Sequence, residues 1–443
     1  MLRLLGLALL LAGCAGRSHP PTLLERAHRD LHVPALAFAV VRDGEVLEKG
    51  ALGSANLEWS TAATTDTAFQ IASATKIFTA TLLLLYVQEG KLDLDAPIGR
   101  YLPETPSAWS EITVRHLAAH AGGIVPDRTL ARDVSAKDAI PALAAQPLAY
   151  PPGTKSVYPN ADFVVLQHLL EVVGGQPFPA LVEARLAKPL GFRCTGFEDL
   201  VEDGLARLAE VVPRRASVYR WEAGRQRISW FYYPARTYAS GGIFSCVDDL
   251  ARWAAAMDRG ELLTPATEKL AGEPFGEGGF GVVFTTRELR GRRAIGHSGG
   301  PALADVVRFP AERLTVIVLS NQQKLAPNLA PILAGRYLPP TSPPAGVADD
   351  APDVTARLRG VMARYGSGEV PTDAFADGKL LPILREWGPL QLGLVGPLDR
   401  VIFLGAEDGG VRRYLSIHGE VWVAWRFVID AAGKITDLDP EVR

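Results

Sequence analysis

Cysteine is nearly missing from this chain, with three residues in 443, at positions 14, 194 and 246. A count that low excludes a disulfide-stapled scaffold. Cys194 and Cys246 are compatible with one disulfide in an oxidising compartment or with two separate buried thiols. Charge of one sign is also lacking: 46 Lys and Arg stand against 49 Asp and Glu, a formal charge of −3. No basic run tracks a phosphate backbone, so nucleic acid is not expected as a partner. The eight histidines are scattered. His116-Leu-Ala-Ala-His120 has the i, i+4 spacing of a zinc helix but lacks the glutamate that follows the first histidine of a metalloprotease, and neither metal nor cofactor is expected. What the chain does have is 48% hydrophobic and 21% charged residues, enough to bury large cores in two or more domains.

The first residues, Met1-Leu-Arg-Leu-Leu-Gly-Leu-Ala-Leu-Leu10, place one positive charge before an apolar run too short to span a bilayer, as in a secretory signal. Leu11-Ala-Gly-Cys14 resembles a bacterial lipobox, which implies cleavage before Cys14 and its acylation. The expected result is an exported bacterial lipoprotein whose only membrane contact is its lipid. In a Gram-negative source, Ala15 after the cysteine points to the periplasmic face of the outer membrane.

Four regions follow: a signal peptide at 1–14, a large domain at 20–338, a linker at 339–352 and a small α+β domain at 353–443. In the large domain a helix is expected over Leu23–Leu31. Ala35–Val41 and Val46–Lys49 flank an Asp43-Gly44 turn and predict a β-hairpin. Ile77–Tyr86 is almost unbroken hydrophobe, the pattern of a helix buried on most sides and ending near Gly90. From about 91 to 270 helices and long loops are expected, clearest at Leu181–Leu190 and Asp248–Met257. Strands return at Arg292–His297, Ala304–Phe309 and Leu314–Ser320, with a helix near Asn328–Tyr337. The fold class is therefore α+β: an antiparallel sheet built from both ends of the domain, flanked by helices and carrying an inserted helical lobe. Pro339-Pro-Thr-Ser-Pro-Pro has the composition of an extended, semi-rigid linker. Beyond it, Asp353–Tyr365 and Leu380–Trp387 predict helices before a four-strand meander. Val421, Val423, Trp425, Phe427 and Ile429 form its covered face and Trp422 points outward. This tail is similar to small helix-plus-curved-sheet modules of the nuclear-transport-factor or cystatin type.

Three motifs carry chemistry. Ser73-Ala-Thr-Lys76 sets a hydroxyl one helical turn from an amine at the head of the apolar helix. Burial lowers an amine pKa toward neutrality, and a neutral amine can take the serine proton. Tyr158-Pro-Asn160 supplies a phenol able to carry that proton and a side-chain amide for a substrate carbonyl. His297-Ser-Gly299-Gly300 closes a strand whose glycines permit close approach of substrate, with the Gly300 and Ser73 N–H groups as an oxyanion hole. His120-Ala-Gly122 competes for this role but precedes Tyr158.

In that order these motifs resemble the serine β-lactamase and penicillin-binding-protein superfamily, in its class C, D-alanyl-D-alanine carboxypeptidase and esterase branch. Further landmarks are His116-Leu-Ala-Ala-His120-Ala-Gly-Gly-Ile124, Pro152-Gly-Thr154, Lys188-Pro-Leu-Gly191, Ala239-Ser-Gly-Gly-Ile-Phe-Ser245 through Ala251, and Leu319-Ser-Asn321. The resemblance implies a β-lactamase/transpeptidase-like fold and a serine hydrolase working through an acyl-enzyme on a D-peptide, ester or β-lactam-type substrate in the cell envelope. Ser73 becomes the nucleophile, Lys76 its proton partner and Tyr158 the general base. Asn160, His297 and Gly299 bind substrate, and Ser73 and Gly300 form the oxyanion hole. His297 stands where dedicated β-lactamases of this branch carry lysine, which weakens carboxylate anchoring and makes turnover of carboxylate substrates fall as pH rises through the imidazole pKa. A catalytically silent envelope binding protein, recognising its target through the tail, is the alternative. Selectivity is expected in loops between about 125 and 150 and between 200 and 240.

Overall fold

Asp43 and Gly44 both take left-handed backbone angles (φ 52° and 82°), the geometry that suits the twist of a two-residue hairpin. They join the strands Ala35–Arg42 and Glu45–Asn56. The computed structural model describes residues 22–158, 161–198, 200–203, 206–209, 211–276, 280–300, 303–323, 329–339, 341–367, 369, 371–376, 381, 394–419 and 421–442. Cys14 and Asn160, and nearly all of the helix expected over Leu380–Trp387, lie outside the described residues. Among those described, no helix is long and apolar enough to cross a membrane.

The hairpin joins a seven-stranded antiparallel sheet in the order Thr285–Leu289, Arg292–Gly299, Ala304–Phe309, Leu314–Ser320, Ala35–Arg42, Glu45–Asn56, Thr61–Ala62. Its strands come from both ends of the large domain, as expected. The strand Ala35–Arg42 is buried on both faces, and its period of two sorts side chains by size: Ala35, Ala37, Ala39 and Val41 enter one cluster, Leu36, Phe38 and Val40 the other. The small side chains let the helix Val247–Asp258 lie against the strand. The large ones meet Leu23 and Leu24 of the helix Thr22–Asp30, and Leu329 and Leu333 of the helix Leu329–Ala334. Burying each such side chain contributes about 1.5–3 kcal/mol. A one-residue slip would exchange the two sets and lose both fits.

The helix Lys76–Gln88 is buried at every position from Lys76 to Tyr86. It does not begin at Ser73. A 3₁₀ turn, Ala72–Thr75, leaves the short strand Phe69–Gln70 and carries the serine. The lobe between 91 and 270 also departs from expectation. It holds the short strands Gly196–Phe197, Leu200–Asp203, Ala206–Ala209, Tyr219–Glu222, Arg225–Ile228 and Ile243–Ser245, whose sequences show little hydrophobic period. The Leu181–Leu190 helix is interrupted by a π turn over Glu183–Ala187, close to Pro189, whose missing N–H breaks the regular ladder.

An additional C-terminal sheet domain is present. Strands Arg400–Glu407, Val411–His418, Val421–Ile429 and Ile435–Val442 form a four-strand antiparallel meander. Leu358, Val361, Met362 and Tyr365 of the helix Pro352–Gly366 share a cluster with Tyr414, Val423, Trp425 and Phe427. Trp422 is only 8% exposed and belongs to the packed rim. The same cluster continues into Leu23, Leu24 and Leu36 of the large domain, and Arg26 donates to the Leu394 carbonyl at 3.0 Å. The Pro-rich connection is laid onto this sheet: the Val347 N–H donates to the Phe403 carbonyl at 3.0 Å, and Arg412 reaches both Asp349 and Asp350 at 2.8 Å.

Candidate active site

Ala72 has φ 47°, a left-handed angle that costs an L-residue roughly 1 kcal/mol or more. This kink turns the chain out of the strand Phe69–Gln70 so that Ser73 faces the cleft. In a 3₁₀ turn, residues three apart eclipse, which brings Ser73 and Lys76 to one side. The positive end of the buried helix lies beside the serine.

Ser73 Oγ and the Tyr158 hydroxyl share a hydrogen bond of 2.8 Å. Lys76 Nζ lies 3.4 Å from the same phenol oxygen and donates to the Ser240 carbonyl at 2.7 Å. Among the described residues these are the amine's hydrogen bonds, so Lys76 reaches Ser73 through Tyr158, where sequence spacing had suggested direct contact. Lys76 is 2% exposed, and burial lowers its pKa to about 7. A neutral amine uses one N–H on the Ser240 carbonyl and keeps a lone pair for the phenol. Tyr158 exposes 43% of its surface, yet its hydroxyl is turned into the cleft, and that desolvation holds the phenol above its ordinary pKa. The phenol is thus protonated near neutrality, and the vacancy for a proton sits on Lys76. Turnover should rise with pH through an acid limb near 7, because the competent amine exists above its pKa and is lost below it; a pH profile of kcat/KM reads this.

Aromatic packing fixes the phenol. Phe280 stacks on the Tyr158 ring (5.9 Å, 13°), and His120 meets it edge-on at 4.8 Å. His120 is in turn stacked on Phe163 at 4.5 Å, and Lys76 Nζ lies 4.9 Å over the Phe163 ring. Beneath this group the buried Asp162 carboxylate accepts from the Gly122 and Ile124 N–H groups at 2.6 and 3.2 Å. A Cβ on residue 122 would sit 2.9 Å from that carboxylate, which explains the glycine in His120-Ala-Gly-Gly. Sequence reasoning missed Ser240, Phe163, Phe280 and Asp162. Ser240 lay inside a landmark already noted, whereas nothing in the pattern around Phe280 marks it.

His297 is brought to the same cleft, 6.3 Å from the Tyr158 ring, and is 5% exposed. Burial first, and then the Lys76 charge, push its pKa well below the usual value. It is neutral, and a titration near neutral pH is not available to it. The expected pH dependence of carboxylate turnover is therefore corrected: His297 offers no positive charge in the working range. Its Nδ1 lies 2.8 Å from the Ser298 carbonyl, which can only accept, so the proton sits on Nδ1 and Nε2 presents a lone pair. A carboxylate finds no donor there.

Packing requires the glycine at position 299. A Cβ there would meet the Ile71 carbonyl at 1.9 Å, so the glycine lets the strand Arg292–Gly299 press against the turn that carries Ser73. Gly300 follows at the strand's end, with open space where a side chain would be. Two other landmarks are structural. Asn321 accepts from the Ala35 N–H at 2.8 Å and donates to the Ser54 carbonyl at 3.1 Å. His116 accepts from the Thr113 N–H at 3.3 Å in a helix cap. Among the described residues the one group with metal-like spacing is Cys194, Cys246 and Asp249, away from this cleft.

A strand-to-helix elbow bearing Ser-x-x-Lys, with a tyrosine between the two, set beside an antiparallel sheet, defines a β-lactamase/transpeptidase-like protein. The Beta-lactamase family model matches residues 22–334, and the chain belongs to that family. It is 32% identical to the esterase EstB of Burkholderia gladioli over 196 residues, 40% of this chain and 50% of the relative. It is 25% identical to a putative D-alanyl-D-alanine carboxypeptidase of Escherichia coli K12 over 345 residues, 66% of this chain and 79% of that one. The fold resembles the octameric penicillin-binding protein homologue from Pyrococcus abyssi at TM-score 0.63 and 19% identity, covering 95% of this chain and 89% of the other. This chain thus spans half the length of the esterase and most of that of the carboxypeptidase.

Proposed function

We propose that this chain is a serine hydrolase that forms an acyl-enzyme on Ser73 and acts on esters or amides whose recognised end is uncharged. The hydrogen-bonded series Ser73 Oγ, Tyr158 OH, Lys76 Nζ, ending on an amine of pKa about 7, is the observation that carries this reading. As Ser73 attacks a carbonyl, its proton passes to the Tyr158 oxygen while the Tyr158 proton passes to Lys76. The Ser73 and Gly300 N–H groups hold the oxyanion. The ammonium returns its proton through Tyr158 to the leaving alcohol or amine; the same pair then takes a proton from the water that attacks the acyl-enzyme and delivers it to Ser73 Oγ as the acid leaves. Asn160 is assigned to the substrate carbonyl on the resemblance alone.

Neutral His297, with a lone pair on Nε2, favours an uncharged substrate end over a carboxylate. Exposed Trp230 and Phe231 add an apolar rim close by, since the Phe231 carbonyl accepts from Gln70 beside the nucleophile turn. The test is a panel of short-chain esters, D-alanyl-D-alanine peptides and β-lactams. Ester kcat/KM should exceed that for the carboxylate peptides, and His297→Lys should raise the carboxylate preference by about tenfold or more. An unchanged preference in His297→Lys would remove the assignment. If no member of the panel is turned over or bound covalently, the silent binding protein is the better reading.

Acylation at Cys14 belongs to the same proposal and would confine the chemistry to a membrane surface outside the cytoplasm. Metabolic labelling with an alkyne fatty acid should mark the wild type and not Cys14→Ser; equal labelling removes the anchor.

A further inference from the structure

The segment from residue 195 to residue 245 is an excursion that supplies much of the cleft: Phe231 on the rim and Ser240 with the carbonyl that holds Lys76. At its base the strand Gly196–Phe197 pairs antiparallel with Ile243–Ser245, with Phe197 opposite Ile243 and Gly196 opposite Phe244. Continued outward, this register sets Thr195 against Ser245, and their hydroxyls do meet at 2.8 Å. Beyond the ladder, Cys194 in a bend and Cys246 just past the strand Ile243–Ser245 come together. Alternation puts both on the opposite face from the hydroxyl pair, and both sulfurs fall in one small cluster with Ala68 and Phe244. The two sulfurs and the nearest Asp249 oxygen lie within 4.8 Å of one another.

We propose that Cys194 and Cys246 are an oxidisable pair that closes to an intramolecular disulfide when the folded protein meets a disulfide oxidant such as oxidised glutathione or a thiol oxidoreductase. The roles are unequal. Cys194 is 6% exposed and Cys246 is fully buried. A hydrogen bond from Cys246 lowers the Cys194 thiol pKa and raises that of Cys246. Cys194 therefore attacks first. Its thiolate displaces one thiol from the oxidant, giving a mixed disulfide, and Cys246, after losing its proton, displaces the second. Two S–H bonds are lost, one S–S bond forms, and the oxidant leaves as two thiols carrying the two electrons.

Metal binding fits the cluster less well. The Asp249 carboxylate is already occupied by the Arg193 and Cys194 N–H groups, at 2.9 to 3.0 Å and 2.7 Å, and by the Thr195 hydroxyl and Arg252, each at 2.9 Å. A cation would have to displace those donors.

Closing the bond ties the two ends of the excursion and restricts the unfolded chain, so its effect falls on stability. The strand Ile243–Ser245 also pairs with Phe69–Gln70, and the Ile71 N–H donates to the Ile243 carbonyl at 3.1 Å just ahead of the nucleophile turn. The clasp thus secures the strand on which that turn rests.

The experiment uses the full chain, reduced and then exchanged into oxidised glutathione near neutral pH. It is quenched in acid, unfolded, alkylated and digested. A linked peptide pair containing Cys194 and Cys246 is expected, converting to two alkylated peptides on reduction; Cys14 is followed on its own peptide. The oxidised protein should melt several degrees above the reduced one, and Cys194→Ser or Cys246→Ser should abolish that gap. Recovery of both residues as free thiols, a lasting glutathione adduct on Cys194, or equimolar zinc that blocks alkylation would overturn the proposal.

Discussion

Lys76→Met should lower turnover by about a thousandfold or more and, at the same time, raise the melting temperature. The two effects have one cause. The structure keeps this amine 2% exposed, with a pKa of about 7 against an ordinary value of 10.5. The unfolded chain holds its proton up to roughly pH 10, whereas the native chain releases it near 7, so between these values the unfolded state binds more protons and stability rises with pH. At pH 7 the burial therefore costs on the order of 4 kcal/mol. Methionine fills similar space without that penalty but orphans the Ser240 carbonyl, which returns about 1–3 kcal/mol. A net gain of ~2 kcal/mol is expected near pH 7, shrinking as pH rises toward 10. Thermal melts of both proteins across that range, beside initial rates, check it. A melting temperature that falls at pH 7 would mean that Lys76 is charged and stabilising, contrary to the account.

Tyr158→Phe should reduce kcat by about 10²–10⁴ while leaving KM and the melting temperature nearly unchanged. The ring contacts to Phe280 and His120 survive the change, so the pocket keeps its shape. Only the oxygen between Ser73 and Lys76 is removed. This variant separates two mechanisms that the sequence leaves merged. If Lys76 took the serine proton directly, loss of the phenol would be tolerated and kcat would hold. The 2.8 Å and 3.4 Å links through Tyr158 call for the larger loss.

The sheet and the buried helix were legible because their sequences carry strong, local signals. Leu314–Ser320 is nearly continuous hydrophobe, Asp43-Gly44 suits a two-residue turn, and Ile77–Tyr86 is apolar on every side. Arg225–Ile228, Thr285–Leu289 and the far half of Glu45–Asn56 were not, because polar or small residues there pair through the backbone without a hydrophobic period. Within the cleft, residue types could be found but not their connections. Three-residue spacing placed Ser73 near Lys76, yet the Lys76 hydrogen bonds depend on Tyr158 and Ser240, some 80 and 160 residues away. Gly299 was identified, but its reason is the Ile71 carbonyl packed against it. His297 was expected to titrate near neutrality, and burial, a property of the assembled fold, moved it out of range. The approach of Cys194 to Cys246 likewise exists only once the strands pair.

Intact-protein mass spectrometry after incubation with a fluorophosphonate and a panel of β-lactams reads the covalent bond to Ser73 itself. One adduct per chain is expected, on the peptide bearing Ser73, with its rate of formation rising through pH 7 and its complete loss in Ser73→Ala. An unmodified mass at every pH, or an adduct that persists in Ser73→Ala, would contradict the assignment of Ser73 as nucleophile.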